Sequence, residues 1–186
     1  INTLLQSSKK PIMVLGSQCV TCLKEIEVLK ETIISMNIPV YLSGMARGLL
    51  GNDYKKQFKF KRSQSLREAD FILLLGVTCD FRLDYGRCLN RNAKIISINN
   101  NKKSLYLNQP LFYKTYMSIH MNPYNYLIYN DLSYDDDSYD PGWLESLNEK
   151  EEKYKDNALQ LSKIEGDNVN SLKLCMYLNK IIDDKT

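Results

Sequence analysis

Short apolar runs ended by a small or polar residue alternate, along the first hundred positions, with stretches whose apolar residues recur every three or four. Pro11-Ile12-Met13-Val14-Leu15 stops at Gly16, Pro39-Val40-Tyr41-Leu42 at Ser43-Gly44, and Phe71-Ile72-Leu73-Leu74-Leu75 at Gly76. A fourth run, Lys94-Ile95-Ile96-Ser97-Ile98-Asn99, ends in asparagines, and a weaker fifth covers Tyr116 to His120. Apolar runs of this length without alternation are what strands buried on both faces look like. Between the first two, Leu23, Ile26, Leu29, Ile33 and Met36 stand among Lys and Glu residues and predict an amphipathic helix over 21–36. Asn37 closes that helix and Pro39 prevents its continuation. A shorter helix is expected over 63–69.

Strands that alternate with helices and end at small or polar residues specify parallel neighbours, because only crossovers of this length can join them. The fold expected is α/β: a three-layer, Rossmann-like open parallel sheet with helices on both faces, plus a C-terminal helical extension. The composition shifts after about Asn122. Asn125 to Asp140 is rich in Tyr, Asn and Asp, and Pro141-Gly142 closes it, which reads as a solvated linker or inserted loop. Its Asp135-Asp136-Asp137 run lacks the ligand spacing of a calcium loop. A charged helix follows over 143–161, with a thin apolar stripe of Trp143, Leu144, Leu147, Tyr154, Ala158 and Leu161. A last helix over 171–182 carries Leu172, Cys175, Leu178 and Ile182 on one face, which has no strand left to cover it and is expected to pack on something outside this chain. The expected divisions are thus 1–124 for the sheet domain, 125–142 for the loop, 143–170 for the charged connection and 171–186 for the start of a further, truncated domain.

Composition narrows the classes. Of 186 residues, 44% are hydrophobic and 25% charged, which excludes a wholly disordered chain. Twenty-five Lys and Arg against 22 Asp and Glu leave +3. With no block of clustered basic residues in view, nucleic acid is not expected as a partner. No apolar run reaches the ~18 residues that a membrane span needs, so no membrane contact is visible. The chain begins at Ile1 without a leader and reads as a piece of a longer protein, whose upstream part can carry an anchor of its own. Five cysteines are an odd set, and reduced thiols in an intracellular, reducing compartment are the reading that fits them. Cys19 and Cys22 form a lone C-x-x-C, and with His120 the single histidine the soft ligands for zinc are too few.

In an open α/β sheet, ligands bind outside the carboxyl ends of the strands. Four loops fall there: Gly16-Ser17-Gln18, Gly44-Met45-Ala46-Arg47-Gly48, Gly76-Val77-Thr78-Cys79-Asp80 and Asn99-Asn100-Asn101. Glycine permits close approach of backbone to ligand, and exposed N–H groups at a following helix start favour phosphate, so a nucleotide-shaped ligand fits. The competing reading is that these glycines only turn the chain. G-x-G-x-x-G and the P-loop are both absent, which disfavours an ordinary NAD dehydrogenase or an NTPase. His120 is solitary, no nucleophile elbow is present, and Asp80 and Asp84 flank Arg82 as ion-pair or capping groups do. No catalytic and no metal-ligating residue is assigned.

Read in order, three segments resemble the central domain of thiamine-diphosphate-dependent enzymes of the acetolactate synthase superfamily. They are Lys10 to Gln18, Ile38 to Gly51, and Arg62-Ser63 through Ala69-Asp70 to Gly76-Val77-Thr78-Cys79-Asp80-Phe81-Arg82-Leu83-Asp84-Tyr85-Gly86-Arg87. The resemblance covers about residues 1–122 and is closest to acetolactate synthase-like proteins related to 2-hydroxyacyl-CoA lyases and oxalyl-CoA decarboxylases. It implies a three-domain parent that cleaves or forms a carbon–carbon bond next to a carbonyl. In such a parent, thiamine diphosphate and Mg2+ are held by a pyrimidine-binding and a diphosphate-binding domain, whose activating glutamate and G-D-G…N segment do not lie in this chain; the resemblance makes 171–186 the truncated start of the diphosphate-binding domain. Homo-oligomers form through those same domains, and the fragment alone is expected to be inactive.

The family's central domain binds FAD, ADP or CoA in some members and nothing in others. Carried onto this sequence, the expected contacts are Gly16, Ser17, Gln18, Gly44, Met45, Ala46, Arg47, Gly76, Val77, Thr78, Asp80, Arg82, Asn99 and Asn100. Thr78 and Phe81 depart from the G-A-R-F-D-D-R of acetolactate synthases, Asp80-Phe81 stands where acyl-CoA members have N-W, and Asn99 and Asn100 replace acidic residues. The loop Met45 to Leu50 is nearer the acyl-CoA enzymes. A vacant central domain that acts as structural spacer and oligomer contact is the alternative. An NAD-dependent deacetylase-like reading shares the sheet but lacks the four-cysteine zinc module.

Overall fold

The computed structural model describes residues 1–166 and 168–182. Of the piece expected over 171–186, residues 183–186 lie outside the described residues. Six strands form one sheet: β1 (Pro11–Leu15), β2 (Val40–Leu42), β3 (Gln57–Phe58), β4 (Phe71–Leu75), β5 (Lys94–Asn99) and β6 (Met117–His120). The helices are α1 (Asn2–Gln6), α2 (Ile26–Ser35), α3 (Arg62–Glu68), α4 (Lys102–Tyr106), α5 (Pro123–Tyr129), α6 (Trp143–Ser162) and α7 (Ser171–Ile181). All pairings are parallel and the strand order is 3-2-1-4-5-6. This is the doubly wound Rossmann order, whose direction reverses between β1 and β4.

Every residue of β1 and β4 is buried, which is why their sequences are apolar without alternation. The register pairs Leu15 with both Leu42 and Leu75, Leu75 with Ile98, and Asn99 with His120. The carboxyl ends of five strands therefore finish level with one another along one rim. α2 buries Leu29 and Ile33. It starts later than the spacing predicts, because 17–20 and 23–25 form separate 3-10 turns. Asn37 follows it in the left-handed conformation (φ +58°), the geometry that ends a helix.

The stretch expected as a solvated loop is instead packed against the sheet domain. α5 buries Tyr124, Tyr126 and Leu127, and beyond it Leu132, Tyr134 and Tyr139 are buried too. The tyrosines are amphipathic: their rings go inward while Tyr134 Oη donates to the Ser8 carbonyl and Tyr139 Oη to that of Asn37. A composition that looks polar thus supplies core. α6 docks through Trp143, whose Nε1 donates to the Pro11 carbonyl at 3.3 Å, and through Leu147. One turn further on, the same face buries Lys150 and Glu151, while Leu159 and Leu161 are exposed. Lys150 pairs with Glu68 of α3 at 2.6 Å. α7 buries none of its residues, and Leu174, Tyr177, Leu178 and Ile181 face solvent.

Candidate functional site

Gly16, Gly44 and Gly76 end β1, β2 and β4 on the common rim. A β-carbon on Gly76, whose φ is +63°, would meet Gln18 Cβ at 2.7 Å, so no side chain fits between these loops. The Ser17 hydroxyl accepts from the Met45 N–H at 3.1 Å and ties the first loop to the second. The space left at this switch point is a crevice of about 160 Å³, lined in part by Ser17, Gln18, Gly44, Val77, Thr78 and Arg82. Sites for nucleotide-sized ligands run to roughly 300–1,000 Å³.

The polar groups of the rim are turned toward one another. Gln18 Nε2 donates to Asn99 Oδ1 at 2.9 Å while its Oε1 accepts from the Asn100 N–H at 3.0 Å. Asn99 is fully buried; its Nδ2 donates to the Val77 carbonyl at 3.0 Å and its Oδ1 also accepts from the Asn101 N–H at 2.9 Å. Each side chain thus has its amide oxygen and one amide N–H engaged by protein. The Asn100 carbonyl lies 3.1 Å from His120 Nε2. Asp80 caps the turn it begins by accepting from the Arg82 N–H at 2.9 Å, and it also takes the Arg82 guanidinium. That side-chain contact holds the Asp80 carboxyl below the usual carboxylate range. Ala46 is buried, whereas Met45 and Phe81 stand 76% and 73% exposed on neighbouring loops.

A second cavity opens beside the first, at the carboxyl ends of β2 and β3. It encloses about 1,100 Å³. Arg47 from the loop after β2, Lys59 and Lys61 from the turn after β3, and Arg62 and Arg67 of α3 all line it. No Asp or Glu is in its lining, and none of these five cations has an ion-pair partner among the described residues. Tyr41 and Phe58 form an apolar floor, and Tyr41 Oη donates to Ser65 Oγ of α3 at 2.9 Å. Arg62 Nη2 donates to the Arg82 carbonyl at 2.6 Å, so its side chain forms the wall between cleft and crevice. Burial lowers the proton affinity of that guanidinium. Such a cleft is suited to a group carrying several negative charges.

Of the residues expected to contact a ligand, Arg47 lies in the cleft; most of the others frame the crevice. Lys59, Lys61, Arg62 and Arg67 escape a reading by strand-tip loops, because β3 is two residues long and leaves no apolar run. The available signal is the alternation of Phe58-Lys59-Phe60-Lys61, ahead of a helix whose first and sixth residues, Arg62 and Arg67, are again basic. Among the described residues, no group of three or more His, Cys, Asp or Glu side chains is placed to hold a metal ion. Cys19 is buried, its thiol pushed up to about 12 by desolvation.

Residues 1–120 match the model of the family described as thiamine pyrophosphate enzyme, central domain. The chain is 48% identical over 116 residues to the Xenopus laevis protein named 2-hydroxyacyl-CoA lyase 2, covering 62% of this chain and 18% of the relative. It is 33% identical over 185 residues to the Caenorhabditis elegans protein of the same name, covering 97% and 29%. A probable acetolactate synthase of Mycobacterium bovis is 33% identical over 93 residues, covering 50% and 17%. The chain spans less than a third of the length of these relatives.

Proposed function

The chain belongs to the thiamine pyrophosphate enzyme central-domain family, and we propose that it seats the nucleotide end of an acyl-CoA in a lyase of the 2-hydroxyacyl-CoA type. The whole protein would cleave or form a carbon–carbon bond next to a carbonyl. The observation that carries the reading is the five-cation cleft, large enough for a nucleotide and free of acidic lining. CoA combines a diphosphate and a 3′-phosphate with an adenine, a demand that clustered Lys and Arg meet. The names of the relatives, which match along much of the chain, favour CoA over other polyphosphates.

The family implies thiamine diphosphate, and Mg2+ would accompany its diphosphate. The described residues do not fit that pair, since no carboxylate or imidazole cluster is placed for a metal. On this reading both belong to the pyrimidine-binding and diphosphate-binding domains of the parent, and no step of the carbon–carbon chemistry is assigned to this chain. FAD or ADP laid along the strand tips fits poorly too, because Gln18 and Asn99 are turned toward each other and the rim backbone and the crevice is narrow. We infer for Gly16, Ser17, Gln18, Gly76, Asn99 and Asn100 a role in holding the rim in shape. The five free cysteines support a reducing compartment.

Thermal shifts of the full-length protein with CoA, ADP, FAD and NAD test this. A ligand that binds only the folded state stabilises it by mass action. CoA is expected to give the largest shift, and Lys59→Gln with Lys61→Gln to abolish it. No shift with any of the four at millimolar concentration would sink the proposal and favour the spacer reading, which the narrow crevice supports.

A further inference from the structure

Glu151 sits on α6, far along the chain from the cleft, yet it is only 7% exposed. A buried carboxylate ordinarily needs a cation or several donors. Among the described residues Glu151 has no ion-pair partner, since its neighbour Lys150 is committed to Glu68. Its donors are backbone amides. The Lys59 N–H lies 3.2 and 3.1 Å from its two oxygens, and the Phe60 N–H donates to Oε2 at 2.9 Å. Those amides belong to the turn that delivers Lys59, Lys61 and Arg62 to the cleft.

Two further contacts join α6 to the same turn. The Phe60 ring stacks on Tyr154 with centroids 4.1 Å apart, and Lys61 Nζ stands 5.8 Å from the Tyr154 ring centre. The turn itself is not relaxed: Lys61 has φ +54°, a left-handed conformation that residues with a β-carbon disfavour. Something must hold it.

We propose that Glu151 is a positioning residue for the cleft, clamping the Lys59–Phe60 backbone so that the following cations face a bound polyphosphate. The proposal rests on the reading of the cleft as a CoA site. It makes a distinctive statement about sign. A carboxylate acting only through its charge would weaken anion binding, so its neutralisation would tighten the complex. A carboxylate acting as a clamp does the opposite, and its loss loosens the complex although a negative charge has been removed.

The test uses the full-length protein that carries this chain, with CoA as the calorimetric probe and amide hydrogen exchange of the unliganded protein as a second arm. Glu151→Ala is expected to raise the CoA dissociation constant about tenfold and Glu151→Gln, which keeps one acceptor, about threefold. Both should speed exchange at Lys59 and Phe60. Glu152→Gln, on the exposed side of α6, should do neither. Unchanged or tighter CoA binding by Glu151→Gln would overturn the proposal, as would unaltered exchange at the two amides. If the wild-type protein failed to bind CoA while Glu151→Gln still freed the amides, the reading of the cleft would fall and the clamp would stand. Should Glu151→Ala fail to fold, Glu151→Gln and Tyr154→Ala carry the test.

Discussion

A β-carbon built on Gly16 would stand 2.2 Å from the carbonyl oxygen of Gly76 and 2.7 Å from Val77 Cγ1. The ends of β1 and β4, neighbours where the strand order turns, are packed backbone to backbone. Gly16 has an extended backbone, with φ −110°, so it is the lack of space that demands glycine here. Because the nearest obstacle is main chain, Gly16→Ala should destabilise the protein by about 2–3 kcal/mol. Gly166→Ala, with nothing within 4 Å, should stay within roughly 0.5 kcal/mol of the parent. Urea unfolding of the two variants makes the comparison, and equal midpoints would mean that the rim has slack.

Asn99 and Asn100 are adjacent in sequence and opposite in situation. Replacing Asn99 by Leu strands the Val77 carbonyl, the Gln18 amide and the Asn101 N–H inside the rim. Asn99→Leu is expected to cost about 3 kcal/mol, since each orphaned buried group keeps its desolvation penalty. Asn100→Ala alters only an exposed side chain and should cost well under about 1 kcal/mol. A large loss in Asn100→Ala, or none in Asn99→Leu, would reverse the roles argued for them.

How far the sequence is legible follows from what burial does to it. β1, β4 and β5 lie between other strands and under helices, so both faces select apolar residues and the strands stand out as unbroken runs. β3 is an edge strand of two residues and leaves no pattern, yet the cleft is built beyond it. α5 and the segment after it bury tyrosines by the ring and satisfy them by the hydroxyl, so a Tyr-Asn-Asp composition hides a packing surface. The cleft is hidden for another reason. Its cations lie at 47, 59, 61, 62 and 67, and only the fold gathers them; a net formal charge of +3 averages them away. The crevice was legible in place, because glycine ends the strands that form it. Whether Gln18 and Asn99 would offer their amides to a ligand or to each other depends on loop geometry that residue type does not carry.

Asp80 makes the stability of the rim depend on acid. Its hydrogen bond and ion pair with Arg82 depress its pKa in the folded protein, so the folded state holds its proton less readily than the unfolded chain does. Stability from this source is complete above the unfolded value, about 3.9 for an aspartate, and drains away as the pH falls through the lower folded value. Arg82 is more than half exposed, which keeps the contribution modest through solvent screening. In urea unfolding followed from neutral to strongly acid pH, Asp80→Asn is expected to lower stability at neutrality and to flatten the acid limb. An acid limb that kept its full slope would assign the acid sensitivity to other carboxylates.

Ionic strength separates the two ways in which a cleft of this kind can hold its guest. Arg47, Lys59, Lys61 and Arg67 are exposed at its surface, where mobile ions reach them, while Arg62 is half-buried and fastened to the Arg82 carbonyl. Screening shortens the range of the exposed charges from about 10 Å at 0.1 M salt to about 3 Å at 1 M. If the cations draw in a polyphosphate, the CoA dissociation constant of the full-length protein should rise at least about tenfold across that range. Arg67→Gln should make the dependence shallower, because one screened charge fewer takes part, and Arg62→Gln should weaken binding at every salt concentration. A CoA affinity indifferent to salt would place recognition in the adenine or the acyl chain, and the cations of the cleft would then have to be explained by some other anion.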